Sequence, residues 1–316
     1  MSALKERFCL SVSKFYKEDS IFNPVQVSVV VVTGYIVEYR MTEDAVVIPP
    51  VIPKVGSIIV HSGNIVQWNR LKKKANETPT TEIIQSIDGT FRSVIDDTDK
   101  NELQYQTELT CNNTKFIETL PEDERGDLKL TVKIFLCSLL PTEALKEATN
   151  RALKELNVTY IETVLLAFPE FEEEDELTLD LIKPYWMCLE ELVDSEVILS
   201  LGIADLNTKL LEQLYNWSRV KPCINQVNLE SCCVMPKELT EYAKEKDIQL
   251  LTHNDPRDIL PSKSLQELIA SNTTEKDGEG WDPLWILRYS VLVKCRGIIK
   301  TKGYIIKCSR DTKKKK

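Results

Sequence analysis

From residue 128 onward the chain alternates two kinds of segment, and this alternation limits its possible folds more than any motif does. Leu128 to Leu136 (LKLTVKIFL) reads as a strand. Pro141 and Thr142 then open a helix that sets Leu145, Ala148, Ala152, Leu153 and Leu156 on one face. Thr142 is its expected N-cap, Glu143 suits the first turn, and Asn157 closes it. The next strand runs from Tyr160 to Leu166. Its end, Thr163 to Leu166, is apolar or β-branched throughout, as for a strand buried on both faces, and Pro169 stops it.

The pattern then repeats. Trp186, Leu189, Leu192 and Val193 form a helical stripe within 184–194, followed by strand 197–203. Helix 208–218 carries Leu210, Leu211, Leu214 and Tyr215, followed by strand 223–229. A helix from Pro236 turns Leu239, Tyr242 and Ala243 inward, followed by strand 248–253. Asp282-Pro283 starts a further predicted helix, LWILRYSVLVKC. Gly297 ends it, and GIIK is a short last strand. Upstream, 80–95 predicts helix, and 101–111 fits strand or helix equally. Residues 1–54, rich in Val and Ile and carrying Pro49, Pro50 and Pro53, read as a hairpin, a loose extension or a misassigned start of the coding sequence.

Strands alternating with helices about 25–35 residues apart specify a parallel sheet with helical crossovers. An open dinucleotide-binding sheet would need GxGxxG after its first strand. The chain has ten glycines, its one GxG pair (Gly278, Gly280) lies in an acidic loop, and it has no P-loop. The expected fold is therefore α/β, with a (β/α)8 barrel preferred over an open sheet.

With 42% hydrophobic and 28% charged residues the chain can bury a large core. A net charge of −9 argues against general affinity for nucleic acid or an anionic membrane. No apolar run approaches the ~20 residues of a bilayer span, and MSALKERFCLSVSKF does not read as a secretory signal. Nine scattered cysteines, an odd number without CxxC, fit reduced thiols and a cytoplasmic protein.

Barrel chemistry sits just past the carboxyl ends of the strands. After strand 160–166 that place holds Ala167 and Phe168, which neither move a proton nor hold a metal. The two histidines, His61 and His253, cannot build a three-histidine metal site, and no metal is expected. His253 lies at a strand end in LLTHNDP, where Asp255 could orient it or simply begin a turn with Pro256. Cys232 and Cys233 follow another strand and read as reactive thiols or as ordinary reduced ones. Lys133, inside an apolar strand, needs a partner or a shifted pKa. The acidic run Glu170 to Glu176 is a solvated loop or a contact for a basic partner.

The strings RGDLKLTVK, TEALKEATNRALKELNVTYIETVLLAFP, LEELVDSEVILSLGIADLN, KPCINQVNLE and LRYSVLVKCRGIIK resemble successive β/α units of the aldo-keto reductases. That resemblance implies a (β/α)8 barrel with NADPH at its mouth and a catalytic aspartate, tyrosine, lysine and histidine. Lys133 matches the lysine. Ala167 stands at the histidine position, and Leu109 to Thr119 (LTCNNTKFIET) offers no aspartate-tyrosine match. Lys133 is then a relic and the catalytic set is empty. For the cofactor, Gln226 matches a glutamine used against the nicotinamide amide, and Ala204-Asp205 replace a Ser-Asn pair. Lys300 and Lys302 lie where the family has a phosphate-gripping basic segment.

The longer strings NQVNLESCCVMPKELTEYAKEKDIQLLTHNDP, WDPLWILRYSVLVKCRGIIKTKGY and SGNIVQWNRLKKK are similar to the regulatory (modifier) subunits of glutamate–cysteine ligase. This resemblance spans residues 57–310 and implies an aldo-keto reductase-like barrel there, with an N-terminal extension (1–56) outside it and a basic tail (311–316). It also implies a non-catalytic chain that forms a heterodimer with the catalytic subunit in glutathione biosynthesis, improves its use of glutamate and relieves feedback inhibition by glutathione. Cys232, Cys233, His253 and Asp255 are then candidates for the interface or for redox chemistry, and no cofactor is required. The alternative is an NADPH-dependent carbonyl reductase, or an NADPH-sensing pseudoenzyme, using Lys133, Gln226, Lys300 and Lys302.

Overall fold

The computed structural model describes residues 27–32, 35–40, 51–69, 78–171, 176–228 and 235–312, the first two stretches and positions 68–69 by backbone alone. Two compact units meet in sequence at Pro49 and Pro50. In the first, β1 (Val27–Val32) and β2 (Tyr35–Arg40) pair antiparallel, with Val32 opposite Tyr35. This pairing is the part of 1–54 in which a hairpin is described.

The second unit begins with β3 (Ser57–His61), α1 (Ile65–Asn69), α2 (Pro79–Asp97), α3 (Lys100–Leu103) and β4 (Glu108–Asn112). Then come β5 (Leu128–Leu136), α4 (Glu143–Leu156), β6 (Thr163–Ala167), α5 (Leu179–Asp194), β7 (Leu201–Ala204) and α6 (Thr208–Trp217). β8 (Ile224–Asn228), α7 (Lys237–Glu245), β9 (Gln249–His253), α8 (Ser262–Asn272) and α9 (Glu275–Gly278) lead to β10 (Asp282–Val293) and β11 (Ile298–Ser309). The segment 101–111 thus divides between a helix end and a strand.

Nine strands form one sheet in the order β4-β3-β11-β10-β5-β6-β7-β8-β9. From β5 to β9 all neighbours are parallel, the β/α repeat read from the sequence. Helices α4 to α7 pack on one face, against Leu130, Val132, Ile134, Val164, Leu166, Leu201 and Ile203. Helices α2 and α8 cover the β3, β4 and β11 part of the other face through Ile83, Ile87, Phe91, Leu265 and Ile269. Trp186 of α5 is fully buried and donates from its indole to Val220 O at 3.0 Å. Burying a Val, Leu, Ile or Phe side chain contributes about 1.5–3 kcal/mol, and the two layers bury many of them.

The largest correction concerns 282–293. That segment is strand β10, paired antiparallel with β5 (Arg288 opposite Lys133) and with β11 (Arg288 opposite Tyr304). Gly297, at φ 63°, forms the hairpin turn rather than a helix end. α5 begins five residues before Pro184, at Leu179, with Thr178 accepting from Leu181 N–H. Thr142 makes no side-chain cap bond to α4, whereas Asn157 closes that helix in the left-handed conformation, φ 53°.

Candidate functional site

Lys133 lies on the face of β5 turned away from α4 to α7, two residues before Phe135 and three before the last residue of the strand, Leu136. Its side chain is 3% exposed. A buried ammonium needs a counter-charge, and Asp255, in the loop after β9, supplies it at 2.8 Å. Arg288 approaches the same carboxylate from β10 with two bonds, 2.5 Å and 2.9 Å. The fork geometry fits guanidinium and carboxylate. The pairing of β10 with β5 sets Arg288 beside Lys133, so two cations converge on one anion that is 2% exposed.

His253 ends β9 and extends the cluster. Its Nε2 lies 3.0 Å and 3.1 Å from the two Asp205 carboxylate oxygens. Its Nδ1 lies 3.1 Å from Asp255 N–H, which donates to the neutral ring, and 3.3 Å from Asp255 Oδ2, to which the protonated ring donates. Asp205, just after β7, holds φ at 61°, a conformation Asp tolerates better than most residues. Its carboxylate also accepts from Asn228 N–H, and Asn228 Nδ2 donates to Asp255 O.

The protonation states follow from burial set against partners. Burial alone would raise the Asp255 carboxyl, but bonds from His253 and Arg288 and the charge of Lys133 outweigh it and hold the group far below the usual carboxylate range. For Lys133, burial is the largest influence and pushes the ammonium down; Asp255 opposes this, and Arg288 adds to it. Burial would lower His253, but its bonds to Asp205 and Asp255 carry it upward.

The remaining candidates lie apart or elsewhere. Lys302 pairs with Glu82, which also accepts from Tyr304 Oη; Thr78, Pro79, Asn254 and Arg288 join Lys302 and Glu82 around a cavity of about 150 Å³. Lys300 pairs with Glu124 instead. Gln226 is on β8, and its Oε1 is shielded from solvent with no hydrogen-bond partner among the described residues. Ala167 is buried among the apolar side chains under α2 and α8. Cys232 and Cys233 lie outside the described residues. Glu170, from the acidic run, pairs with Arg257 at 2.9 Å. His61 sits in a separate buried group, 3.1 Å from Tyr289 Oη and 3.4 Å from Glu155. Among the described residues no His, Cys, Asp or Glu cluster could hold a metal ion.

A larger cleft of about 1130 Å³ opens beyond β5 and β6, with Phe135, Phe168 and Phe171 among its walls. Lys133, His253, Asp255 and Arg288 do not line it. The charged cluster is therefore separate from the larger cleft and borders only the cavity of about 150 Å³, through Arg288. The residues also do not fit NADPH. Lys300 and Lys302 are tied to carboxylates on different elements, Asp205 puts a negative charge where a neutral amide was expected, and Gln226 alone offers an unsatisfied atom.

Residues 112–255 match the aldo/keto reductase family. Across 258 residues the chain is 39% identical to the glutamate–cysteine ligase regulatory subunit of Mus musculus, a match covering 81% of this chain and 94% of that protein. The chain belongs to the family of glutamate–cysteine ligase regulatory subunits. The Homo sapiens member is 40% identical over 252 residues, 79% of this chain and 92% of its own length. An aldo-keto reductase crystal structure from a Medee basin deep-sea metagenome library aligns at 24% identity over 42% of this chain and 44% of that one, with a TM-score of 0.33.

Sequence reasoning singled out Lys133, His253 and Asp255, which the fold brings together. It missed Arg288 and the role of Asp205. Arg288 carried the signal that exposed Lys133, a lone charge in an apolar run, but placing it on a helix face left that charge a route to solvent.

Proposed function

We propose that this chain binds the catalytic subunit of glutamate–cysteine ligase in a heterodimer, raises its effective affinity for glutamate and relieves its inhibition by glutathione. The observation that carries the reading is the 39% identity extending over 94% of the mouse regulatory subunit. The site supports it. Lys133 is engaged by Asp255, and Ala167 occupies the strand end where a polar partner would be needed.

Such a subunit acts by binding one conformation of its partner better than another. Linkage then requires glutamate to tighten the heterodimer and glutathione to loosen it, by the same factors that the chain imposes on their binding. The test mixes the purified chain with the catalytic subunit. A one-to-one complex on size-exclusion chromatography, a lower apparent KM for glutamate and weaker inhibition by glutathione are expected. Absence of a complex, or unchanged kinetics in its presence, overturns the reading.

A further inference from the structure

The parallel run ends at β9, which has β8 as its one strand neighbour among the described residues. Gln249 N–H donates to Cys223 O on the β8 side at 2.9 Å. Successive peptide groups of a strand point to opposite sides, so the N–H and C=O of Leu250 and Thr252 face away from β8. Those groups have no partner among the described residues. Soluble proteins guard such edges with lysine, proline, a bulge or a cover. β9 reads QLLTH, with neither lysine nor proline, and its register with β8 is unbroken. Gln249 and Thr252 are exposed. At the opposite end of the sheet, β4 carries the exposed charge of Glu108.

Two acceptors beside this edge point to the kind of strand it receives. Gln226 lies opposite Leu251 in the β8–β9 register, and its shielded Oε1 is unpartnered. A strand added beyond β9 would lie two strand spacings from Gln226, about 9.5 Å, a span that a lysine or arginine side chain meeting Gln226 covers. Asp247, exposed just before β9, adds a negative charge at the start of the same edge.

We propose that the outer edge of β9 is a docking site for the catalytic ligase subunit, which adds an extended basic segment as a further strand and directs a lysine or arginine to Gln226. This rests on the heterodimer reading above and names its contact surface.

Amide hydrogen exchange on the purified chain, alone and with the catalytic subunit, tests it. Exchange in a peptide spanning Gln249–His253 is expected to slow about tenfold or more in the complex, because the outward amides acquire acceptors. Thr252→Pro removes an outward N–H and spares the bonds to β8, as proline on an edge can. It is expected to weaken binding about tenfold with thermal unfolding unchanged, and Thr252→Lys is expected to act alike. A complex that forms without protection at 249–253 overturns the edge assignment and leaves the subunit reading standing. Failure to form any complex overturns both. Protection that grows with the concentration of the chain alone assigns the edge to a second copy and overturns the proposal. Should Thr252→Pro misfold, exchange on the wild-type chain decides.

Discussion

Asp255 accepts from Lys133, from both arms of Arg288 and, when the ring is protonated, from His253, while only 2% of its side chain is exposed. The two cations therefore depend on it more than it depends on either of them. Asp255→Ala strands two positive charges in a poorly solvated place and is expected to cost about 3–5 kcal/mol. Lys133→Met leaves the Arg288 fork in place and exchanges an ion for an apolar chain of similar length; about 0–2 kcal/mol is expected. Urea unfolding of the two variants checks the order, and equal losses would contradict this account. His253 adds a pH dependence. Its folded pKa is raised, so its contribution is complete below the unfolded value of about 6.5 and is lost as pH rises through the higher folded value. Between pH 6 and 9 the wild-type Tm is expected to fall relative to that of His253→Asn, and parallel profiles would contradict this. At this scale the sequence displays a residue's oddness, as Lys133 does, but not its partner: Asp255 and Lys133 lie 122 positions apart and meet only through the fold.

Among the elements, the β10–β11 hairpin inserts antiparallel strands between β5 and β3. Close approach within it requires glycine. A Cβ at Gly303 would lie 2.2 Å from Tyr289 Oη and 2.3 Å from Gly63 O. The obstruction by backbone cannot rotate aside. Gly303→Ala is expected to destabilise by about 1–3 kcal/mol, read as a lower Tm, whereas Gly126→Ala, with open space around its Cβ, is expected to leave Tm within about 1 °C. The units from β5 to β9 were legible because their apolar residues keep either period cleanly and Asn and Pro punctuate them. β10 was not. In PLWILRYSVLV apolar residues stand so densely that a helical stripe and a strand alternation fit equally well. What decides is the pairing with β5 and β11, which no local window contains.

Across the molecule, the unit from Pro50 to Lys316 holds both apolar clusters. A chain starting at Pro50 is expected to unfold in one cooperative transition with the midpoint of the full chain; a shift of more than about 3 °C would show that residues 1–49 contribute to the stability of the sheet. The β/α order and the long family-like strings made the class of fold readable from the sequence. The arrangement of strands was not, since the order of a sheet depends on contacts between distant segments. The pairing of Ser57 with Ser309 through β11 has a consequence for biosynthesis. Among the described residues β3 and β4 join the remaining strands only through β11, so an emerging polypeptide cannot complete this sheet until β11 has been made. Until then the apolar SIIV segment of β3 has β4 on one side and an open edge on the other, where chaperones would need to shield it, and a stop codon before Ile305 would leave the sheet in two pieces.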